Sequence, residues 1–406
     1  MTSEWRSFRL VPEDVLFFRD GKPASIGQDH YLRSLFPPFP STLYGAIRTR
    51  RLLDEGVELL GLSKSVWGTL KKELREELGE WGGFGTLELR GPCLLRDGEV
   101  LLPAPADLGV IESRPALVAR DTPQKRSVKA VVRFLFAGGE ARPGHWSHPL
   151  RLAHPFVRSN GRWKEYRSPE DGPEPQPVAG RFLTPQGIST WSQGGVPEPD
   201  AFVHADELWS PEVRTGLKLQ ADSRQAKEHM LYTFGYVRLA KGVSLGFELR
   251  GSALEAAGWL RLGGDGRPVR LEPLSAPALP PLSHEALEEG SFLLAFATPT
   301  LSESGAYPPG FSRGSFTATL GGLQATLVGG LVRSQALVGG WDLANARAKP
   351  LRRAIPAGCV FAFETKADRA AIPSLHGSNV AGFEREFLAR QGFGLTIVGA
   401  MPRKDA

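Results

Sequence analysis

Glycine and proline recur along the whole chain, with 47 glycines and 33 prolines spread over 406 residues. Proline cannot continue a helix or donate a hydrogen bond in a central strand, and glycine is typical of turns. This spacing predicts many short strands joined by turns and loops rather than a disordered tail. The length predicts two or three domains with sizeable cores.

Apolar periodicity gives the order of the first elements. A strand is predicted at 8–18, followed by a helix and then by a clear amphipathic helix at 63–81. Two strand pairs with tight turns are predicted at 84–103 and at 258–272. The apolar face of the amphipathic helix consists of Trp67, Leu70, Leu74 and Leu78.

The chain ends with a predicted helix at about 379–390 and a strand at 395–399. Strands followed by helices, without regular βαβ alternation, predict an α+β protein with two units of mostly antiparallel sheet. This order excludes a doubly wound nucleotide-binding fold. We place a first domain at 1–250 and a second at 251–406. Residues 113–210, with weak strand signals, are interpreted as a long, partly mobile insertion in the first domain without a core of its own.

Charge and cysteine usage limit the function. Lys and Arg number 49 and Asp and Glu 44, so an acidic partner such as nucleic acid is compatible with the composition but not required by it. Cys93 and Cys359 belong to no Cys/His cluster, so we expect no zinc site, disulfide framework or cofactor. Because the sequence has no run of 18 apolar residues and no secretory h-region, we expect a cytoplasmic protein outside the membrane.

The segment FPPFPSTLYGAIRTR at 36–50 leads into the first helix through three prolines. Ser41 or Thr42 is predicted to cap its N-terminus. Another face of this helix, by helical spacing, consists of Tyr44, Arg48 and Arg51. An aromatic ring, two guanidinium groups and a helix N-terminus together favour RNA binding, and a merely solvated face is the alternative.

Near the C-terminus, the glycines of the segment QGFGLTIVG (391–399) are Gly392, Gly394 and Gly399. The segment superficially resembles an RNA-recognition signature, but Leu395 and Val398 replace the aromatic residues that would stack on bases. One interpretation is that Gly392 ends the preceding helix as a C-cap, and the residues alone favour it. The other is that unshielded backbone N–H groups accept phosphate oxygens.

Three patterns resemble catalytic motifs but lack their context. GFSRG at 310–314 matches G-x-S-x-G, yet prolines precede it and no helical pattern follows, which favours a flexible loop. LGGDG at 262–266 supplies one carboxylate, whereas two-metal chemistry needs at least two, which favours a hairpin turn. His30 has no accompanying nucleophile or base signature, which favours a polar loop histidine. We therefore expect no catalytic site.

Several segments, in this order and spacing, together resemble one family. They are FFRDGKP (17–23), FPPFPSTLYGAIR (36–48), EVRTGLKL (212–219), MLYTFGYVRL (230–239), GGWD (339–342), KPLRRAIPAGCVF (349–361) and QGFGLTIVG (391–399). The family is that of the third subunits of the Cmr-type (type III-B) CRISPR effector complex, within the RAMP superfamily. The resemblance spans 8–400, and 113–210 matches least.

The resemblance implies two ferredoxin-like (RRM-like) domains with antiparallel sheets and no catalysis. It also implies a role in antiviral defence, in which the protein caps the 5′ end of a ribonucleoprotein and holds the 5′ tag of the CRISPR RNA. The implied partners are the large polymerase/cyclase-like subunit and a backbone RAMP subunit, with target RNA contacted indirectly. By this resemblance, the glycine-rich loop corresponds to the G-loop of RAMP proteins. The resemblance therefore favours RNA binding by this loop over a role as a helix C-cap alone. The candidate RNA-binding residues are Arg19, Lys22, Ser41, Thr42, Tyr44, Arg48, Arg51, Arg214, Lys218, Arg352, Arg353, Gly392, Phe393 and Gly394.

Two alternatives stay open at this point. One is a RAMP-superfamily endoribonuclease that matures CRISPR RNA, with His30 as its general acid. The other is the equivalent subunit of a type III-A complex, which would have different partners.

Overall fold

The chain folds into a mixed α+β structure with mostly antiparallel sheets and few helices, as the sequence predicts. Short strands joined by turns dominate, which agrees with the even spread of glycine and proline. The computed structural model describes residues 4–19, 31–112, 128–136, 152–159, 162–165, 176–219, 226–275, 279–281, 287, 290–332, 335–342, 347–366, 369–383 and 387–402.

The elements of the described residues are as follows. The α-helices are α1 (Pro40–Asp54), α2 (Lys64–Gly68), α3 (Lys72–Leu78) and α4 (Pro185–Ser192). The strands up to residue 250 are β1 (Arg6–Pro12), β2 (Tyr31–Arg33), β3 (Glu88–Arg96), β4 (Glu99–Pro103), β5 (Leu108–Glu112), β6 (Val128–Phe136), β7 (Leu152–Ser159), β8 (Arg162–Glu165), β9 (Gln176–Pro177), β10 (Arg181–Leu183), β11 (Phe202–His204), β12 (Trp209–Leu219), β13 (Ala226–Leu239) and β14 (Val243–Arg250). The later strands are β15 (Gly258–Leu262), β16 (Arg267–Pro273), β17 (Ser291–Phe296), β18 (Phe311–Ser312), β19 (Thr317–Leu320), β20 (Leu323–Leu331), β21 (Ala336–Val338), β22 (Trp341–Asp342), β23 (Arg347–Ala348), β24 (Arg352–Ala354), β25 (Val360–Glu364) and β26 (Thr396–Ala400).

The first sheet has eight strands in the order β11-β10-β4-β3-β14-β1-β16-β15. Its strand β1 lies between β14 and β16 and is antiparallel to both. Helix α1 covers one face, where Leu43 and Ile47 share a buried apolar cluster with Phe8 and Leu10 of β1. The helix begins with Pro40, at a position where no backbone N–H is needed, and its apolar residues recur on the side facing the sheet.

The second sheet has six strands in the order β18-β19-β20-β25-β17-β26, and all of its pairs are antiparallel. Alternate residues of β17 point to opposite faces of this sheet. On the outer face, Phe292 stacks on Phe363 of β25 with ring centres 5.5 Å apart. On the inner face, Leu293 contributes to the layer that joins the two sheets.

The two sheets are joined by one buried apolar layer. Leu95 of β3 and Leu102 of β4 belong to the same cluster as Leu293 of β17 and Ile397 of β26. Each Å² of apolar surface that such a layer removes from water stabilises the fold by about 25 cal/mol. The described parts of the two sheets are therefore held together by a common core.

The region interpreted as an insertion has more strand structure than its sequence signals indicate, because its strands β6, β7, β8 and β9 form a five-stranded sheet with β5, in the order β8-β7-β6-β5-β9. Arg133 of β6 is fully buried, and its Nε lies 3.0 Å from a carboxylate oxygen of Asp107. The guanidinium also donates to the carbonyl oxygens of Trp191 and Gly195, and the Trp191 indole donates to Asp107. Because Trp191 lies in the layer between the sheets, the described part of the insertion shares the main core.

Several predicted elements have different limits in the structure. The predicted strand at 8–18 ends at Pro12, where a bend follows. The helix predicted at 63–81 is divided into α2 and α3, because Gly68 and Thr69 are poor helix formers. Its apolar residues Trp67, Leu74 and Leu78 are nevertheless buried.

The helix predicted at about 379–390 is wrong for the part of that range that the structure describes. Phe383 and Phe387 have φ values of +57° and +50°, which a right-handed helix excludes. By contrast, the strand pairs predicted at 84–103 and 258–272 are confirmed as β3–β4 and β15–β16. The domain limits and the two ferredoxin-like domains stay predictions.

Candidate nucleic-acid interface

Helix α1 starts differently from the prediction. Its N-cap residue is Phe39, and no side chain there accepts a hydrogen bond from the first turn. Ser41 and Thr42 lie inside that turn, so the prediction that one of them caps the helix is wrong. Pro40 at the first helical position sets the start of the helix instead.

The face of α1 that carries Tyr44 and Arg48 points into the protein. Tyr44 is buried, its hydroxyl donates to the carbonyl oxygen of Leu87 at 3.2 Å, and burial raises its pKa to about 12. Arg48 donates to the carbonyl oxygen of Gly83 at 3.1 Å, and its guanidinium lies 5.6 Å from the Phe84 ring centre. Burial lowers the pKa of Arg48. As folded, Tyr44 cannot stack on a base.

Arg51 lies in the same buried region. Its Nε is 2.9 Å from a carboxylate oxygen of Glu77, which is itself buried and also accepts a hydrogen bond from Ser252. Burial alone would lower the pKa of Arg51, but the hydrogen bond to Glu77 and that carboxylate's charge raise it. The interpretation of Tyr44, Arg48 and Arg51 as one exposed RNA-binding face is therefore wrong.

The glycine-rich loop is also buried. Phe393 is 1% exposed, so its ring is not available to a base. The backbone N–H groups of Gly392, Phe393 and Gly394 donate to the carbonyl oxygens of Ala389, Leu388 and Pro299, respectively, at 3.1, 3.2 and 2.9 Å. The expectation that these N–H groups are unshielded is wrong, because each already has a carbonyl partner.

The loop instead docks on the first sheet. The backbone N–H of Leu89, in β3, donates to the carbonyl oxygen of Arg390 at 2.9 Å. The side chain of Asn379 donates to the Leu89 carbonyl oxygen at 2.7 Å, and the Arg390 side chain donates to the carbonyl oxygen of Gly85. A β-carbon on Gly392 would lie 2.5 Å from the carbonyl oxygen of Gly91. The glycines therefore allow two backbones to approach closely.

Arg214 belongs to an ion-pair network at the base of the β12–β13 hairpin. It lies 2.9 Å from Asp14 and 2.7 Å from Glu212, and Arg238 pairs with the same two carboxylates. Hydrogen bonds from Arg238 and Arg214 hold the pKa of Glu212 below its usual value. Two carboxylates face these two guanidiniums, so the local charge is balanced. The side chain of Lys218, in the same hairpin, lies outside the described residues.

Of the candidate residues near the N-terminus, Arg19 lies within the described residues. The side chain of Arg19 is exposed, and its backbone forms an isolated antiparallel β-bridge with Ser34. Lys22 and the proposed general acid His30 both lie outside the described residues.

The remaining candidates, Arg352 and Arg353, lie in a hairpin arm, which we define as residues 336–342 and 347–354. Strand β21 pairs with β24, and β22 pairs with β23. The inner side of the arm contacts the core: Val338 and Ala354 are buried, and the Arg352 guanidinium lies 4.6 Å from the ring centre of Phe383.

The outer side of the hairpin arm combines apolar and basic groups. Leu337 is exposed and lies directly opposite Arg353, which is also exposed. Trp341 is 58% exposed and lies opposite Ala348. Lys349, just after this alanine, is exposed. Arg347 is also exposed, but strand alternation directs it to the other face of the β22–β23 pair, where it lies opposite Asp342. Cations interleaved with an aromatic ring suit the backbone and bases of single-stranded nucleic acid.

Sequence reasoning identified only part of the arm. It selected Arg352 and Arg353 but missed Leu337, Trp341 and Lys349, although GGWD and KPLRRAIPAG contain them or their neighbours. The available signal was the interleaving of one tryptophan with basic residues in two segments that pair as a hairpin.

Other features of the described residues carry less chemistry. No group of three His, Cys, Asp or Glu side chains among them could hold a metal ion. None of their helices is long and apolar enough to span a membrane. A cleft of about 340 Å³ lies between the two sheets and is mostly apolar, with Phe36, Trp209 and Pro299 in its walls. This cleft does not suit a polyanion.

Chains of solved type III CRISPR complexes are similar to this chain. Among solved structures, the chain is similar to a chain of the type III-B Cmr-beta complex bound to cognate target RNA and AMPPnP (14% identity, TM-score 0.46, covering 91% of this chain and 88% of that one). It is similar to a chain of Cmr-beta bound to cognate target RNA (16%, 0.46, 88% and 86%) and to one of the Csm3–Csm4 subcomplex of the type III-A CRISPR-Cas interference complex (10%, 0.37, 89% and 93%). No curated protein matches the chain.

The model of one family, described as CRISPR-associated protein (Cas_Cmr3), matches residues 8–401. Because this match covers nearly the whole sequence, the chain belongs to the Cas_Cmr3 family of CRISPR-associated proteins.

Proposed function

We propose that the protein is a non-catalytic, RNA-binding subunit of a type III-B CRISPR effector complex in the cytoplasm. In this role it caps the 5′ end of the complex and holds the 5′ tag of the CRISPR RNA during antiviral defence. Membership of the Cas_Cmr3 family supports a place in such a complex. The observation that carries RNA binding is the exposed, basic outer side of the hairpin arm.

The arm suits single-stranded RNA for a specific reason. Trp341 lies opposite Ala348, whose methyl group is too small to cover an indole ring, so a face of the ring stays open to a base. Base stacking on an aromatic side chain contributes about 1–3 kcal/mol per base. The exposed side chains of Lys349 and Arg353 supply the charge that phosphates need, and Arg347 adds a cation on the other face of the β22–β23 pair.

The strand order supports two ferredoxin-like domains. Four strands of the first sheet follow the order β3-β14-β1-β16, and four of the second follow β20-β25-β17-β26. Numbered within its own half, each set reads 2-3-1-4 and is fully antiparallel, which suits a repeated βαββαβ arrangement. In this proposal the first domain includes β15 and β16, because they pair with each other and with β1, so its end moves from 250 to after Pro273.

RNA binding by the arm can be tested with the full chain. A short single-stranded RNA with the repeat-derived tag is titrated and followed by fluorescence anisotropy at several salt concentrations. We expect Arg353→Ala to reduce the slope of log K against log salt by about 0.7, the value for one phosphate contact on a single strand. Lys72→Ala is the matched control, because Lys72 is exposed on α3, far along the chain from the arm. An unchanged slope for Arg353→Ala would remove the arm from the RNA site.

The remaining parts of the proposal need other measurements. Purification of the protein from its host through an added affinity tag should recover CRISPR RNA, the large polymerase/cyclase-like subunit and a backbone RAMP subunit. Incubation of repeat RNA with the purified chain should leave the RNA intact. Cleavage that is lost in His30→Ala would contradict the non-catalytic role and favour an endoribonuclease.

A further inference from the structure

Among the described residues, the outer face of the first sheet is covered along β3 and β4, half-exposed along β1 and exposed along β16 and β15. The covered part forms the apolar layer shared with the second sheet. In the open part, β15 is the last strand of the sheet. The outward-facing charged and aromatic side chains of these three strands, which we call the open strip, are Arg9, Trp259, Arg261, Arg270 and Glu272.

Strand alternation fixes the direction of these side chains. Leu260 and Leu262 of β15 are buried in the cluster that contains α1, so Trp259 and Arg261 point to the opposite, outer face. Trp259 is 51% exposed although a tryptophan is usually among the more buried residues. Its backbone is fixed from the other side, because Arg50 of α1 donates to its carbonyl oxygen.

The strip carries an excess of positive charge around the indole. Arg270 lies directly opposite Trp259 on the neighbouring strand. The single carboxylate, Glu272, is shared between Arg9 at 2.6 Å and Arg270 at 2.9 Å. Arg261 adds a third exposed guanidinium on the same strand as the tryptophan.

We infer that the open strip is a second contact for single-stranded RNA, in which a base stacks on Trp259 and phosphates meet Arg261 and Arg270. Two observations favour RNA over a protein partner: cations outnumber the one carboxylate in the strip, and the exposed ring lies on a sheet face between the guanidiniums of Arg261 and Arg270. The inference rests on the proposed function only in taking RNA as the ligand. The strip belongs to the first sheet and the hairpin arm to two separate two-stranded sheets, so each can be tested alone.

The experiment uses the full chain and a short single-stranded oligouridine RNA, with binding followed by fluorescence anisotropy. Trp259→Ala should weaken binding about fivefold or more, which is the lower end for the loss of one stacked base. Trp259→Phe should restore most of the affinity, since a phenyl ring also stacks. Arg261→Gln should reduce the salt slope by about 0.7. Thermal unfolding of each variant shows whether the fold is kept.

The outcomes separate the strip from the arm. If Trp259→Ala binds as tightly as the wild type while Trp341→Ala binds more weakly, the strip inference is overturned and the proposed function stands. If the wild-type chain does not bind RNA, both fail. A folded Trp259→Phe that loses as much affinity as Trp259→Ala would also overturn the inference, because ring stacking would not be the contact. If Trp259→Ala keeps RNA affinity but loses another subunit in copurification, the strip is a protein surface and the inference is wrong.

Discussion

Gly394 and Val380 lie so close together that a β-carbon on Gly394 would be 1.8 Å from the carbonyl oxygen of Val380. The backbone N–H of Val380 donates to the carbonyl oxygen of Gly394 at 2.7 Å, and Gly394 has a φ of +71°. Both facts require glycine at this position. Together with the contacts of Arg390 and Asn379 to Leu89 of β3, this packing holds the glycine-rich loop at the junction of the two sheets.

Gly394→Ala should therefore destabilise the protein. The left-handed conformation alone costs a non-glycine residue about 1–2 kcal/mol, and displacement of the Val380 carbonyl adds to this cost. Urea unfolding followed by tryptophan fluorescence measures the effect. Gly45→Ala is the control, because Gly45 is exposed on α1 with no atom near its β-carbon position, and it should be neutral or slightly stabilising. Equal stability of the two variants would contradict the loop geometry.

The buried pair of Arg51 and Glu77 gives a second prediction. Arg51→Met leaves the Glu77 carboxylate buried without its main partner, which should cost about 3–5 kcal/mol of unfolding free energy. The double variant Arg51→Met/Glu77→Met should recover a large part of that loss, because no buried charge remains. The control Lys71→Ala removes an exposed pair with Glu55, which water screens, and should have a much smaller effect on the unfolding free energy. A small effect of Arg51→Met alone would show that Glu77 is hydrated.

Trp191→Phe tests the anchor of the insertion. The phenyl ring keeps most of the apolar contact but removes the indole N–H that donates to Asp107 at 2.9 Å. The buried Asp107 carboxylate then has one hydrogen-bond donor fewer, which should lower the free energy of unfolding by about 1–3 kcal/mol. The matched control is Trp341→Phe, an exposed tryptophan whose replacement should change the unfolding free energy by less than about 0.5 kcal/mol. Equal effects would mean that the Asp107 hydrogen bond contributes nothing.

The ion pairs of Glu212 predict that the base of the β12–β13 hairpin loses stability at acidic pH. Its folded pKa lies below the usual 4.5, first because Arg238 and then because Arg214 donate hydrogen bonds to it. A lowered carboxyl pKa gives stability that is fully present above 4.5 and is lost as the pH falls through the folded pKa. The stability difference between wild type and Glu212→Gln should therefore be larger at neutral pH than well below 4.5. Urea midpoints at the two pH values measure it, and a constant difference would contradict the ion-pair network.

Local sequence signals predicted the strand pairs well. The turn between β3 and β4 needs positive φ at Asp97 and Gly98, and aspartate and glycine are the residues that accept it. The turn between β15 and β16 uses Gly263 and Asp265 in the same way. These elements were predictable because everything that determines them lies within a few residues.

The candidate site was harder to predict because burial depends on distant partners. The helical spacing of Tyr44 and Arg51 is correct, but Leu87, Glu77 and Ser252 turn that face inward. Ser252 lies about 200 residues further along the chain, beyond the reach of any periodicity. The sequence pattern of an arginine-rich helix face is the same whether that face is exposed to solvent or packs against a buried carboxylate.

The position of β1 in the middle of the first sheet has a consequence for synthesis of the chain. Phe8 pairs with Phe247, so the first strand to leave the ribosome waits for a partner made about 240 residues later. At roughly 5–20 residues per second this delay is about 12–50 s. The last turn of the chain then has to close on β3 through Arg390 and Leu89. The nascent protein therefore carries unpaired, apolar strands for most of its translation, and its first sheet is completed only when β16 has been made, after about two thirds of the chain exists.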